Sequence, residues 1–274
     1  MGTTMAKKHF SPSSLNMLFR CGEQYRRSYM EGEKIPPGVA AVKGRAVHGA
    51  AEVNFEQKVE SHRDISKSQA QEAAAAAYES ALNDGVTFST SDRATGEGKV
   101  LAEAKDRAIV MTDAHMDTQA PEYQPVLVEQ RVRLELPQLE HDLVGIVDMV
   151  DSKNRVVDLK TSKRKKNQHE ADHSIQLTAY AAMTRQLTGK SPEELRLDVL
   201  VDKKSGVERQ VVRTYRGDPA YDALAARIQV AEKMVQAGLF APVDPGHWCC
   251  HPSWCGYWDS CPYVDSERKG KAGV

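Results

Sequence analysis

At 274 residues, 41% apolar and 27% charged, the chain has the make-up of a globular protein: one large domain, or one with a small accessory lobe. Its net charge of −1 carries no global basic signature, so any nucleic-acid binding has to come from local stripes of charge. No apolar run can span a bilayer, and MGTTMAKKHF has neither a secretory h-region nor, with Ala6 where Ser or Thr is needed, a myristoylation pattern; a cytoplasmic protein without membrane contact is expected.

From Ser11, SPSSLNMLFRCGEQYRRSYM sets Leu15, Leu18, Phe19, Tyr25 and Tyr29 at helical spacing, with Cys21 on the flank of the stripe and serines ready to cap. After a PPG break, VAAVKGRAVHGAAEVNFEQKV predicts a helix with Val47, Ala51, Phe55 and Val59 on one side and His48 beside it. Two more helices are predicted at about 66–83 and 98–119, with Gly85 in the C-cap region of the first. The period then changes. Residues 125–136, 142–151 and RVVDLK alternate, separated by PQLEH and SKN, which predicts an antiparallel meander. Residues 173–189 return to helical spacing and stop at Gly189; strands at about 195–202 and 207–214 and a helix at about 218–237 follow. The last residues, SERKGKAGV, read as a frayed tail. This order predicts an α/β (α+β) fold, a mixed central sheet flanked by helices.

If Ser152, Lys153 and Asn154 form the turn, the hairpin centres on Lys153 and Asp148 falls opposite Asp158, ~5 Å away at Cβ. Lys160 shares the face of Asp158, while Val157 and Leu159 point to the core. Two carboxylates that close repel, and a hard divalent cation with oxygen ligands relieves the repulsion. A lone D-x-K is more often a routine surface salt bridge. Here the second, register-matched Asp shifts the balance toward a metal site, with Lys160 placed to orient water or offset charge on a phosphate. A single His on a helix is more often structural than catalytic, but His48 borders a small-residue helix face that can approach a sheet closely, which makes it a candidate third ligand. Gln176 and Tyr180 stand at i and i+4, on one helix face. Lys163, Arg164, Lys165 and Lys166 form a basic strip beside the site, suited to phosphates.

Five cysteines are spread unevenly: Cys21 alone, then Cys249, Cys250, Cys255 and Cys261. In a reducing compartment this reads as metal binding rather than disulfides. Cys250, Cys255 and Cys261 are spaced C-x₄-C-x₅-C among Trp248, Trp254, Tyr257 and Trp258. Zinc held by the tail cysteines with His247 or His251 is one reading, leaving Cys21 as a core thiol; an iron–sulfur cluster shielded by the aromatics is the other.

GRAVH, GIVDMVD, VVDLKTS and QLTAYA, in this order, resemble motifs I to IV of the RecB-type branch of the PD-(D/E)XK nucleases. The nearest resemblance is to the fourth family of CRISPR-associated nucleases and their phage-encoded cousins, over about residues 11–261. The resemblance implies a restriction-endonuclease-like core as one nuclease domain over 1–274. It implies His48, Asp148, Asp158 and the Leu159 carbonyl as ligands of Mg²⁺ or Mn²⁺, Lys160 as the catalytic lysine, and Gln176 with Tyr180 as motif IV. Glu129 is a weaker candidate for the margin. Asp158 departs from the pattern, since many relatives carry Glu there and the shorter arm alters metal spacing. The resemblance further implies a 4Fe-4S cluster held by Cys21, Cys250, Cys255 and Cys261 in a lobe built from about 11–30 and 240–265. Cys249 is the neighbour that could substitute for Cys250. The implied activity is DNA exonuclease, 5′→3′ on single strands or ends. An endonuclease, a nuclease processing CRISPR spacer precursors, a non-catalytic iron–sulfur DNA-binding module and a zinc-bearing adaptor are the alternatives. Homo-oligomerisation stays open.

Overall fold

The computed structural model describes residues 7–265 and 267–268. The tail expected to fray falls outside these apart from Glu267 and Arg268, and so does Ala6 with the other five leading residues. In chain order the elements are β1 (Lys8–Phe10), α1 (Pro12–Arg20), α2 (Gly22–Tyr25), a π-helical turn (Arg26–Met30), α3 (Val39–Ser61), α4 (Lys67–Leu82), α5 (Thr90–Thr95) and α6 (Glu97–Thr118). Then come β2 (Pro125–Leu134), β3 (His141–Asp151), β4 (Arg155–Ser162), α7 (Gln168–Asp172), α8 (Ile175–Thr188), β5 (Glu194–Lys203), β6 (Gly206–Thr214) and α9 (Asp218–Gln236). Among the described residues no helix is long and apolar enough to cross a membrane.

The chain divides into two compact units: Met1–Ile35, Leu136–Asp142 and Ala225–Val274 form one, Pro36–Glu135 and Leu143–Leu224 the other.

In the second unit the meander has the expected hairpin. Met149 faces Val157 and Val150 faces Val156, a register centred on Lys153. β4 then runs parallel to β5, and β6 returns antiparallel to β5, so the sheet is mixed. Strand β4 has covered faces on both sides, as a strand with a parallel neighbour must when helices close the crossover. Val157 and Leu159 enter a core cluster with Ala51, Phe55, Tyr123 and Met149. Small residues let α3 pack closely. A Cβ on Gly44 would stand 3.0 Å from Thr161 Oγ1 of β4, and one on Gly49 would stand 2.6 Å from Ala77 Cβ of α4. Gly49→Val is therefore expected to cost roughly 1–3 kcal/mol by overpacking, seen as a melting midpoint lower by ~2–4 °C per kcal/mol. An unchanged or higher midpoint would mean that α3 and α4 are not in contact at this point.

In the first unit the helix predicted from Ser11 is broken. Ser11 and Ser14 form a capping box as expected, but Cys21 takes an extended backbone (φ −157°, ψ 105°) that separates α1 from α2. Periodicity alone missed this because the stripe continues past the break. The cause lies far along the chain: Gly22 donates its N–H to the Ala241 carbonyl at 2.8 Å, and a Cβ there would stand 2.7 Å from Phe240 Cα. The backbone leaves the helix to make that approach, and Cys21 is left buried at the kink. α5 and α7, each under two turns, carry too little period to be read from sequence.

Candidate active site

β3 and β4 bring the acidic pair together. Asp148 Oδ2 accepts the Leu159 backbone N–H at 3.0 Å, and Asp158 Oδ1 accepts from Lys160 Nζ at 2.8 Å. Asp158 is 1% exposed, and its Oδ2 is buried without a hydrogen-bond partner. Burial raises both carboxyls, with Lys160 pulling the other way; Asp158 is pushed up to about 7, helped by the charge of Asp148. Burial works to lower Lys160, but Asp158 and Asp148 outweigh it and hold its ammonium above the ordinary lysine value. An acidic pair this dry carries a standing electrostatic cost, which an added cation would remove.

α3 supplies His48, whose Nδ1 lies 4.0 Å from Asp148 Oδ2. Burial and then Lys160 depress its pKa, while Asp158 and a backbone hydrogen bond with Leu159 act in the opposite sense. A neutral imidazole is the form that ligates metals. One turn on, Glu52 is raised by burial and by Glu56. Glu129, between the Val128–Met149 and Gln130–Val147 pairs of β2 and β3, has φ +43° and a pKa pushed up to about 7 by burial, Asp148 and Glu52. Few side chains other than Gly take that backbone, and a non-Gly residue held there is strained. Glu129 thus stands within electrostatic reach of Asp148 and Glu52. Glu52 was missed, though its i+4 spacing from His48 was readable.

On α8, Gln176 Nε2 donates to Tyr180 Oη at 2.7 Å. Tyr180 is buried, and burial followed by the charge of Asp148 raises its pKa. It lies over Gly145 of β3 beside Met183, whose Cε would stand 3.1 Å from a Cβ on that glycine. The basic strip is divided. Lys165 pairs with Glu208 and Lys166 with Glu170, whereas Lys163 and Arg164 are exposed.

Among the described residues, no three His, Cys, Asp or Glu side chains stand ready as the ligands of a single metal ion. The acidic site still fits a cation by its chemistry: an orphaned buried carboxylate oxygen, a second carboxylate and a neutral imidazole.

The first unit holds a separate cavity of about 210 Å³ lined by Cys21, Cys250, Cys255 and Cys261, with Tyr257, Trp258 and Val264 in its wall. Gln24 Nε2 donates to Cys255 Sγ at 3.3 Å. Cys249 is buried instead against His247, whose Nδ1 lies 3.1 Å from its Sγ. Burial raises the thiols of Cys249 and Cys255. Four thiols bordering one space are a donor set that an iron–sulfur cluster or a zinc ion can use.

A search of curated proteins finds no match. Among solved structures, the "Putative exonuclease" of Eubacterium rectale is 13% identical, with TM-score 0.53, over 97% of this chain and 94% of that one. At this identity the likeness shows the fold: a mixed sheet flanked by helices, as expected. SSO0001 is also 13% identical, over 85% of this chain and 90% of that one, at a TM-score of 0.36. The family model of the PD-(D/E)XK nuclease superfamily matches residues 9–262. The chain belongs to the PD-(D/E)XK nuclease superfamily.

Proposed function

We propose that this nuclease is a divalent-metal-dependent DNA exonuclease. The observation that carries the reading is the fully buried, unpartnered Oδ2 of Asp158 beside Asp148 and Lys160. Asp148, Asp158, His48 and the Leu159 carbonyl would hold Mg²⁺ or Mn²⁺, the ions that the superfamily generally uses. Such an ion supplies Lewis acidity at the scissile phosphate. Lys160, kept charged by the two carboxylates, orients the attacking water and offsets charge developing on the phosphate. Tyr180 and Gln176, hydrogen-bonded to each other, position the phosphate, and Lys163 and Arg164 with the rest of the strip grip the backbone. Action 5′→3′ on single strands or ends rests on the resemblance of the four motifs. The Eubacterium rectale protein, named as an exonuclease, agrees with exonuclease action.

In the first unit Cys21, Cys250, Cys255 and Cys261 would hold a 4Fe-4S cluster, with the Gln24 amide directed at one sulfur. Its role is structural, and this lobe of about 11–30 and 240–265 belongs to one nuclease domain. The protein works in the cytoplasm on DNA.

The test is degradation of single-stranded DNA labelled at its 5′ or 3′ end, with Mn²⁺ and then with excess EDTA. The expected result is stepwise loss of nucleotides from 5′ ends, stopped by EDTA. Internal cuts would instead make the same site an endonuclease. No cleavage by metal-loaded protein that still binds DNA would make the chain a binding module.

A further inference from the structure

Of the four aromatics expected to shield the cysteines, two do not. Tyr257 and Trp258 are buried in the cavity wall, and Arg268 lies over the Trp258 ring at 5.1 Å. Trp248 and Trp254 are outside that wall, 58% and 69% exposed. Single apolar side chains on a surface are ordinary, whereas large aromatics in contact there form a patch, and patches mark interaction sites. The two rings meet edge to face, with centroids 5.7 Å apart and planes at 89°, so they stand as the walls of a right-angled corner. Both are carried on closed turns. Cys250 donates its N–H to the His247 carbonyl at 2.9 Å around Trp248, whose ring has the His247 imidazole at 5.4 Å. Trp254 and Cys255 donate theirs to the His251 carbonyl at 2.9 and 2.8 Å. Rings held this way lose little freedom when a ligand binds.

A cation lies close to both turns. Arg20, exposed at the end of α1, donates through Nη2 to Gln24 Oε1 at 3.0 Å, and Gln24 Nε2 donates in turn to Sγ of Cys255, the residue after Trp254. The charge of Arg20 also reaches the thiol of Cys249, the residue after Trp248. Among the described residues no carboxylate pairs with Arg20, so its guanidinium is open to an anion.

Flat apolar rings beside an unneutralised guanidinium match a nucleotide: the base stacks and the phosphate pairs with Arg. A duplex hides its base faces in the stack, so an unpaired base is the one that fits. A second copy of the chain fits less well, because two indoles supply at most roughly 500 Å² against about 1,200 Å² or more for a stable protein interface.

We propose that Trp248, Trp254 and Arg20 form a subsite for one nucleotide of single-stranded DNA, its base stacked in the indole corner and its phosphate paired with the guanidinium. The inference deepens, and rests on, the reading of the protein as a nuclease of single strands.

The test is fluorescence anisotropy of a labelled oligo-dT with the anaerobically purified full chain, in EDTA so that nothing is cleaved. A blunt duplex and an abasic oligomer of equal phosphate count run beside it. The variants are Trp248→Ala, Trp254→Ala, the matching Trp→Phe changes and Arg20→Gln. Each Trp→Ala is expected to bind oligo-dT about 5–100-fold more weakly, with Phe recovering most of the loss. Duplex and abasic affinities should match wild type in the Trp→Ala variants. Arg20→Gln should weaken oligo-dT and abasic binding alike and reduce the salt slope by ~0.7. A Trp→Ala variant that loses iron or far-UV dichroism is replaced by Trp→Leu, with the same expectation. Wild-type oligo-dT affinity in both Trp→Ala variants would overturn the inference while the nuclease reading stands, and so would an equal loss on the abasic oligomer. A lower mass by light scattering in these variants, with oligo-dT binding intact, would make the corner a contact between copies. If wild type binds no single-stranded DNA, the single-strand reading fails and the inference with it.

Discussion

Asp158→Asn is expected to leave the protein nearly inactive and, without metal, more stable than wild type. The carboxyl has a pKa of about 7 in the folded chain against an ordinary 3.8, so the folded state holds its proton more tightly than the unfolded state. Stability from this group is therefore present at low pH and is lost as pH rises from 3.8 through about 7. Lys160 has the same sign in the alkaline range: its raised pKa favours the folded state fully below the ordinary lysine value, and that help is lost as pH rises through the raised value. Asn keeps an acceptor for Lys160 and carries no charge. At pH 8 the metal-free variant should be roughly 1–3 kcal/mol more stable than wild type, and near pH 4 the gap should almost vanish. Mn²⁺ at about 100 times its Kd should then add ~2.7 kcal/mol to wild type and nothing comparable to the variant, while cleavage falls at least ~10²-fold. Thermal melts with and without Mn²⁺ at the two pH values check this. A variant less stable than wild type at pH 8, or one that Mn²⁺ stabilises equally, would count against the carboxylate pair as a metal site.

Single Cys→Ser changes at 21, 250, 255 or 261 should each remove colour and iron, whereas Cys249→Ser should keep both. The four lining thiols share one cavity, whereas Cys249 does not line it and has His247 against its sulfur. A cluster bridging Cys21 to the tail closes a very long loop. Losing it should cost roughly 5 kcal/mol or more on the chain-entropy scale for loops of about 100 residues, enough to leave much of the protein unfolded or aggregated. Iron and sulfide analysis of anaerobically purified protein, with absorbance near the visible charge-transfer bands, decides the matter. Colourless wild type carrying zinc would replace the cluster with the tail zinc site. Loss of iron in Cys249→Ser with retention in Cys250→Ser would exchange their roles.

Much of this site was readable from the chain because strands obey short-range rules. The SKN turn sets the hairpin register, and period two puts Asp158 and Lys160 on one face. Gly44 and Gly49 signalled close approach by α3, though not the particular neighbours they meet. What escaped depends on contacts distant in sequence. The kink at Cys21 is imposed by the backbone near Phe240, which no local periodicity encodes. Glu129 lies in an alternating strand pattern that gives no hint of its positive φ. The basic run was read as one phosphate-contacting strip, yet Glu208 and Glu170 pair with two of its lysines.

Crystals grown with Mn²⁺ and measured for anomalous scattering test the central claim most directly. The account predicts a peak bounded by the Asp148 and Asp158 carboxylates, the Leu159 carbonyl and the His48 ring, with ligand distances of roughly 2 Å. A well-occupied peak elsewhere, with this acidic pair bare at saturating Mn²⁺, would contradict it.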